Sequence, residues 1–135
     1  MKVAGSLDSN AILRVVLNDI PDQSAIVIEL IEQSPRLAVC DVSVIETMFV
    51  LEKHYQFERK NIAYALTEIM KHPHLLLNEA LLSEVLVLFA KQPALSPEDC
   101  YLAIYAKQNN QLPLWTFDKK LANQSNGLAR ELGLV

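Results

Sequence analysis

Residues 116–121 read Thr-Phe-Asp-Lys-Lys-Leu, and in them an apolar strand passes directly into the start of a helix. A buried strand is predicted over 113–116, and Asp118 is expected to begin a short helix after it. The same order occurs near the N-terminus, where a predicted strand over 3–7 is followed by Asp8 and a helix over 9–17. An acidic residue therefore stands at two widely separated strand ends of the predicted fold.

Short apolar strands and amphipathic helices alternate along the rest of the chain. Two further strands are predicted over 37–40 and 74–77. The remaining helices are predicted over 22–33, 43–55, 58–71, 79–90 and 96–109, and the tail from 126 receives no assignment. Parallel strands need crossover connections, and these are usually helices. The order of elements therefore predicts an α/β fold, with a parallel sheet covered on both faces, in a single domain over 1–135.

The same patterns predict which side chains are buried. In the second predicted helix, Leu30 shares a face with other apolar residues and is expected to face the core. Cys40 and Cys100 lie in apolar runs without the spacing of a zinc site, which indicates small buried side chains. Trp115 and Phe117 flank the last strand. They are expected to be core residues of an interior strand, with stacking on nucleic-acid bases as the alternative.

Composition excludes several classes of protein. The chain has 135 residues, 51% of them hydrophobic and 21% charged, which suits one compact core and is not typical of disorder. No apolar stretch approaches the roughly 20 residues of a membrane span, and the N-terminus lacks the apolar segment of a secretory signal. A cytoplasmic location without membrane contact is therefore expected. The net charge of −4 argues against nucleic-acid binding through bulk positive charge.

Four acidic residues share one kind of position, directly after a strand or at the start of a helix: Asp8, Glu46, Asp99 and Asp118. Because ligands of parallel sheets bind beyond the carboxyl ends of the strands, these acids are expected to gather at one rim. Gathered carboxylates repel one another unless a cation neutralises them, and ligand sets made only of oxygen suit Mg²⁺ or Mn²⁺. The positions therefore predict a metal site at this rim.

Helix capping is the alternative explanation for each acid taken alone. Asp8 and Asp118 stand where an N-cap is expected, and Ser43 with Glu46 fits a capping box that places Glu46 in a first turn. The helix dipole favours acid in a first turn, which accounts for Asp99. Capping explains each residue but does not explain their common location at predicted strand ends.

The segments that carry these acids resemble the four acidic motifs of PIN-domain ribonucleases, in that family's order and spacing. The segments are Leu7–Leu13, Ser43–Glu46, Glu98–Ala103 and Thr116–Leu121. Within the family, the likeness is to small prokaryotic proteins that include the VapC-like toxins of toxin–antitoxin pairs. The resemblance implies a Rossmann-like, three-layer α/β/α sandwich, a divalent-metal site and endoribonuclease activity on single-stranded RNA.

The resemblance also assigns catalytic and metal-binding roles. Asp8, Glu46 and Asp99 match the core metal-binding acids of the family, and Asp118 matches its more variable fourth acid. Glu98 stands beside Asp99 and leaves a one-residue ambiguity in the third motif, which is resolved toward Asp99. The implied cofactor is Mg²⁺ or Mn²⁺.

Polar and basic residues around the acids receive supporting roles. Asn10 matches the polar residue two positions after the first aspartate of the family, and Thr116 matches the hydroxyl residue two positions before the last. Both are candidates for hydrogen bonds to the metal ligands. Ser9 departs from the pattern, since the family more often has threonine there, although the hydroxyl is kept. Arg14 and Lys119 are the basic residues best placed to contact the substrate backbone, with solvated helix surface as the alternative.

The expected partners are an RNA substrate, an antitoxin protein and a second copy of the chain in a homodimer. Apolar stripes on the predicted helices supply surface for such contacts, and they include Leu66, Ile69, Val85 and Phe89. The alternative is that these stripes are buried in the core of the monomer.

Two other functions stay open from the sequence. A phospho-accepting receiver-type domain has a similar length and an acid cluster that binds Mg²⁺, but it needs an acidic pair after the first strand, where Asp8 stands alone. A PIN fold that no longer cuts and acts as a binding module is the second. The presence of all four acids argues against it.

Overall fold

The structure, a computed structural model, describes residues 2–133. Its strands are β1 (Ser6–Leu7), β2 (Leu37–Val39), β3 (Leu75–Leu76), β4 (Leu114–Thr116) and β5 (Ala129–Glu131). Its helices are α1 (Ser9–Leu17), α2 (Pro21–Gln33), α3 (Asp41–Lys53), α4 (Arg59–Met70), α5 (Glu79–Lys91), α6 (Pro97–Gln108) and α7 (Lys119–Gln124). Helices separate successive strands throughout this part of the chain, as the sequence predicts.

Two compact units make up the chain, and the division falls between Glu79 and Ala80. The first unit contains a three-stranded sheet in the order β1-β2-β3, in which both pairs of neighbours are parallel. Leu7 is in register with Val39, and Leu37 is in register with Leu75. All four of these side chains are buried, so the sheet supplies part of the core of this unit.

The second unit contains a parallel pair of strands, β4 and β5, in which Trp115 is in register with Arg130. The helix α7 connects the two strands and packs against both. Parallel strands joined through helices in both units confirm the predicted α/β class. In the part of the chain that the structure describes, no helix is long and apolar enough to cross a membrane.

The start of α3 differs from the prediction. The helix begins at Asp41 rather than Ser43, and its N-cap residue, Cys40, forms no capping bond through its side chain. Ser43 is therefore not an N-cap, and the predicted capping box with Glu46 is wrong. Glu46 lies in the second turn of α3 instead of the first.

Several predictions of burial are also wrong. Trp115 is 51% exposed and Phe117 is 73% exposed, because Trp115 lies on an open face of β4 and Phe117 lies beyond the end of that strand. Leu30 is exposed, because α2 buries Ile31 and the small Ser24 instead. Cys40 is exposed because it follows the end of β2, whereas Cys100 is buried in α6 as expected.

The apolar stripes proposed for partner contacts are mostly core. Leu66, Val85 and Phe89 are buried, and Ile69 is partly buried. The alternative stated for them, burial within the chain, is the one observed for these three residues.

The helix α3 offers a matched pair of substitutions that test this packing. Met48 is fully buried and the adjacent Phe49 is 48% exposed. Met48→Ala is expected to lower the free energy of unfolding by about 2–5 kcal/mol, because it leaves a cavity in the core. Phe49→Ala is expected to cost only about 0.5 kcal/mol. Urea unfolding followed by circular dichroism measures both, and equal losses for the two variants would contradict the described orientation of α3.

Candidate functional site

Asp8 is held at the carboxyl end of β1 by the helix that follows it. It is the N-cap of α1, and its Oδ1 accepts a hydrogen bond of 2.9 Å from the backbone N–H of Ala11. Its second carboxylate oxygen, Oδ2, has no hydrogen-bond partner among residues 2–133. The capping bond therefore fixes the side chain at the strand end and leaves one oxygen for a ligand.

An open cleft lies beside Asp8 in the first unit. It is lined by Ser6, Leu7, Asp8, Ala11, Cys40 and Ser43. Because β1 and β2 are parallel with Leu7 opposite Val39, the residues that follow the two strands are neighbours. This is the edge at which parallel sheets bind their ligands.

Glu46 lies on α3, which packs against α1. It follows the cleft residue Ser43 by three positions, and residues three apart lie on the same side of a helix. Glu46 is exposed, and it is not itself a lining residue of the cleft. The first unit thus holds Asp8 at the cleft and Glu46 one helical turn beyond the cleft wall.

Asp99 lies in the first turn of α6, in the second unit. The helix is capped by Ser96, whose Oγ accepts a hydrogen bond of 3.1 Å from the backbone N–H of Asp99. Partial burial raises the pKa of the Asp99 carboxyl above its usual value, and the negative charges of Asp118 and Glu98 raise it further. A hydrogen bond with the Ser96 side chain acts in the opposite direction. The structure therefore brings Asp99 and Asp118 within electrostatic range of each other.

Asp118 repeats the arrangement found at Asp8. It follows β4, it is the N-cap of α7, and its Oδ1 accepts a hydrogen bond of 3.1 Å from the backbone N–H of Leu121. Its own backbone N–H donates to Oγ1 of Thr116 at 2.9 Å. Thr116 thus holds the backbone of Asp118 rather than its carboxylate.

The remaining predicted site residues are Asn10, Arg14 and Lys119. Asn10 is exposed on α1, two positions after Asp8. Arg14 donates a hydrogen bond of 2.9 Å to Oδ1 of Asp19, so its guanidinium already has an acidic partner within the chain. Lys119 directly follows Asp118 and is exposed, with no ion pair to any residue in the range 2–133.

No complete metal site is found among the residues that the structure describes in either unit. Within the described residues of each unit, no three His, Cys, Asp or Glu side chains are placed so that they hold a metal ion. Asp8 and Glu46 lie in the first unit, and Asp99 and Asp118 lie in the second. All four are carboxylates, which is the donor type that Mg²⁺ and Mn²⁺ prefer.

Cys40 and Ser43 are residues of the cleft that the sequence analysis did not place there. They depend on the register of β1 against β2, which brings the residue after one strand beside the residue after the other. The signal was present in the sequence, since Cys40 ends the second predicted strand and Asp8 directly follows the first.

The profile of the PIN domain family matches residues 6–126. That span includes all four acids and most of both compact units. No curated protein and no solved structure is significantly similar to the chain. The seven helices and parallel strands found between residues 2 and 133 are consistent with the three-layer α/β/α fold that the motifs imply.

The raised pKa of Asp99 predicts how stability depends on pH. The folded protein holds the Asp99 proton more tightly than the unfolded chain does, so ionisation of this carboxyl lowers the free energy of unfolding as pH rises through the two pKa values. Asp99→Asn, which cannot ionise, is expected to raise the melting temperature at pH 7 in EDTA. The gain is expected to shrink below the usual pKa of aspartate, where the wild-type carboxyl is protonated in both states.

Calorimetry at pH 7 and at pH 3 measures this effect. Asp22→Asn is the matched control, because Asp22 also lies in the first turn of a helix but is exposed, whereas Asp99 is partly buried. A lower melting temperature for Asp99→Asn at pH 7 than for the wild type would show that the Asp99 charge stabilises the fold.

Proposed function

The chain belongs to the PIN domain family, and on this premise we propose that it is a metal-dependent endoribonuclease that hydrolyses phosphodiester bonds of single-stranded RNA. PIN domains are generally nucleases that use divalent metal ions. The observation that carries the proposal is that the family match spans Asp8, Glu46, Asp99 and Asp118 together. We assign residues 1–135 to one domain on the same ground.

The donor chemistry of these residues fits the implied metal. The four side chains offer only carboxylate oxygens, and hard divalent cations such as Mg²⁺ and Mn²⁺ bind such ligands. When bound, such an ion lowers the pKa of a coordinated water and neutralises the charge that develops on the leaving oxygen. We propose that all four acids serve as its ligands, with positioning of the attacking water as the other role open to Glu46.

The backbone of the chain prepares two of these ligands in advance. The N–H of Ala11 and the N–H of Leu121 each hold one oxygen of an aspartate, so neither Asp8 nor Asp118 has to be ordered when a cation binds. The Thr116 hydroxyl also accepts a hydrogen bond from the backbone N–H of Asp118 and so restrains the backbone there. Ligand side chains that are already fixed lose less conformational entropy on binding.

In this proposal, Asp99 affects metal binding through its charge. A carboxyl with a raised pKa holds its proton more tightly, and that proton has to leave before the group binds a cation. A cation beside Asp99 and Asp118 in turn relieves their mutual repulsion. Binding of the metal is therefore expected to weaken as pH falls.

The proposal is tested by cleavage of a mixed pool of single-stranded RNA in Mn²⁺, Mg²⁺ or EDTA. Cutting is expected in at least one metal and not in EDTA. Asp8→Asn and Asp99→Asn are each expected to lower the cleavage rate more than about 100-fold, because even the neighbours of metal ligands contribute that much. Gel analysis of labelled RNA measures the rates.

Glu98→Gln is the control for Asp99→Asn, since it removes a charge from the adjacent residue of the same helix turn. It is expected to keep most of the activity. Loss of activity in Glu98→Gln with full activity in Asp99→Asn would move the ligand assignment to Glu98. Full activity in Asp8→Asn would remove the proposed mechanism.

Absence of cutting in every metal, by a protein shown to be folded, would contradict the nuclease proposal. The chain would then be a PIN-fold binding module or a receiver-type protein. Incubation with a small phosphodonor separates these two, because a receiver forms a covalent phospho-adduct on an aspartate and a binding module does not.

We also propose that the chain is the toxin of a toxin–antitoxin pair, that it forms a homodimer and that an antitoxin protein binds it. Exposed apolar side chains on α2 and α3 support contacts of this kind, among them Ile26, Val42 and Phe49. In light scattering after gel filtration, the mass is expected to be about twice 15.2 kDa. Phe49→Glu is expected to shift it toward the monomer if α3 forms the contact, and a monomeric wild type at high concentration would contradict the dimer.

A further inference from the structure

Two exposed aromatic residues lie in β4 and directly after its end. Trp115 is 51% exposed and Phe117 is 73% exposed, whereas Leu114 and Thr116 between and beside them are partly buried. This alternation is that of a strand with one open face. Residues two apart on such a strand are separated by roughly 6.5–7 Å, which is about twice the spacing of stacked bases.

One cation lies beside Trp115, and two others follow Phe117 in the sequence after Asp118. Arg130 is in register with Trp115 on the neighbouring strand, and its guanidinium carbon lies 5.7 Å from the centroid of the indole ring. Lys119 and Lys120 follow directly and are both exposed. Within residues 2–133, neither lysine forms an ion pair. A chain whose net charge is −4 thus places Arg130 beside Trp115 and two lysines within three residues of Phe117.

We propose that Trp115 and Phe117, together with Arg130, form a platform on which bases of single-stranded RNA stack. The proposal rests on the proposed nuclease function and locates part of its substrate site. Every base has a flat π-face, so stacking on aromatic rings accepts a strand of any sequence. The cations bordering the rings match the phosphates of the backbone.

The position of the platform within the second unit favours RNA over a protein partner. Phe117 is the residue immediately before Asp118, and Asp118 lies within electrostatic range of Asp99. A base stacked on Phe117 therefore brings its phosphate close to these acids. The platform also accounts for single-strand preference, because bases in a duplex already stack on one another and present no free face.

Trp115 is the only tryptophan of the chain, so its fluorescence reports directly on the platform. The full-length protein is titrated in EDTA, which prevents cutting, with a single-stranded RNA 8-mer of mixed sequence. The same length of duplex RNA and inorganic polyphosphate are the comparison ligands. Quenching of Trp115 by the single strand, with little change from duplex or polyphosphate, is expected if bases stack on the ring.

Substitutions then separate the contribution of ring stacking to RNA binding from that of positive charge. Phe117→Leu is expected to weaken binding of the single strand roughly 5- to 100-fold, the range found when a stacking ring is removed. Arg130→Gln is expected to weaken binding and to reduce the salt dependence by about one phosphate contact, a slope change of about 0.7. Tyr64→Leu, which removes a 69% exposed ring from α4, is the control and is expected to have no effect. Circular dichroism checks that each variant is folded.

The outcomes distinguish this proposal from the nuclease proposal. RNA cutting with unquenched Trp115 and with unchanged affinity in Phe117→Leu would overturn the platform while the nuclease stands. Quenching by the single strand in a protein that cuts in no metal would support the platform and remove the nuclease. A doubled mass that Phe117→Leu abolishes, without quenching by RNA, would show that a second copy of the chain covers the rings and would also overturn the platform.

Discussion

An aspartate that ends a parallel strand and caps the following helix is the arrangement on which the candidate site depends. It occurs at Asp8 between β1 and α1, and at Asp118 between β4 and α7. In each case a backbone N–H holds Oδ1, at 2.9 Å and 3.1 Å respectively. Capping and metal binding are therefore not competing explanations, because capping uses one oxygen and fixes the direction of the other. The helix start that stabilises the fold is also what prepares the ligand.

The charge of Asp99 is unfavourable for the stability of the apoprotein. Asp99 is partly buried and lies near two other negative charges, and each of these conditions raises its pKa. A fold that only needed a helix cap at this position already has one in Ser96. The additional carboxylate is therefore better explained by a ligand than by stability, in keeping with the strained character of many functional sites.

Much of the framework could be predicted from the sequence, because local signals determine it. The bounds of α1 match the prediction, since Asp8 caps its start and Asn18 adopts the left-handed conformation that ends it. The start of α3 was misplaced because Cys40 caps it without a side-chain bond that a pattern reveals. The strand β5 has the sequence Ala-Arg-Glu and lacks apolar alternation, so only its pairing with β4 makes it a strand. The lining of the cleft by Cys40 and Ser43 likewise depends on register between distant segments.

The exposure of Trp115 and Phe117 was not predicted from the sequence, and it also bears on function. Hydrophobicity places both rings in a core, whereas in the structure the side chain of Trp115 lies on an open face of β4 and Phe117 lies beyond the end of that strand. A chain with a net charge of −4 has little bulk attraction for a polyanion, so any affinity for a nucleic-acid strand has to come from local contacts. Exposed rings bordered by Arg130 and Lys119 supply contacts of that kind without requiring a basic surface. The acidity of the whole chain and its proposed action on RNA are thus compatible, because the proposed stacking would replace bulk charge as the source of binding.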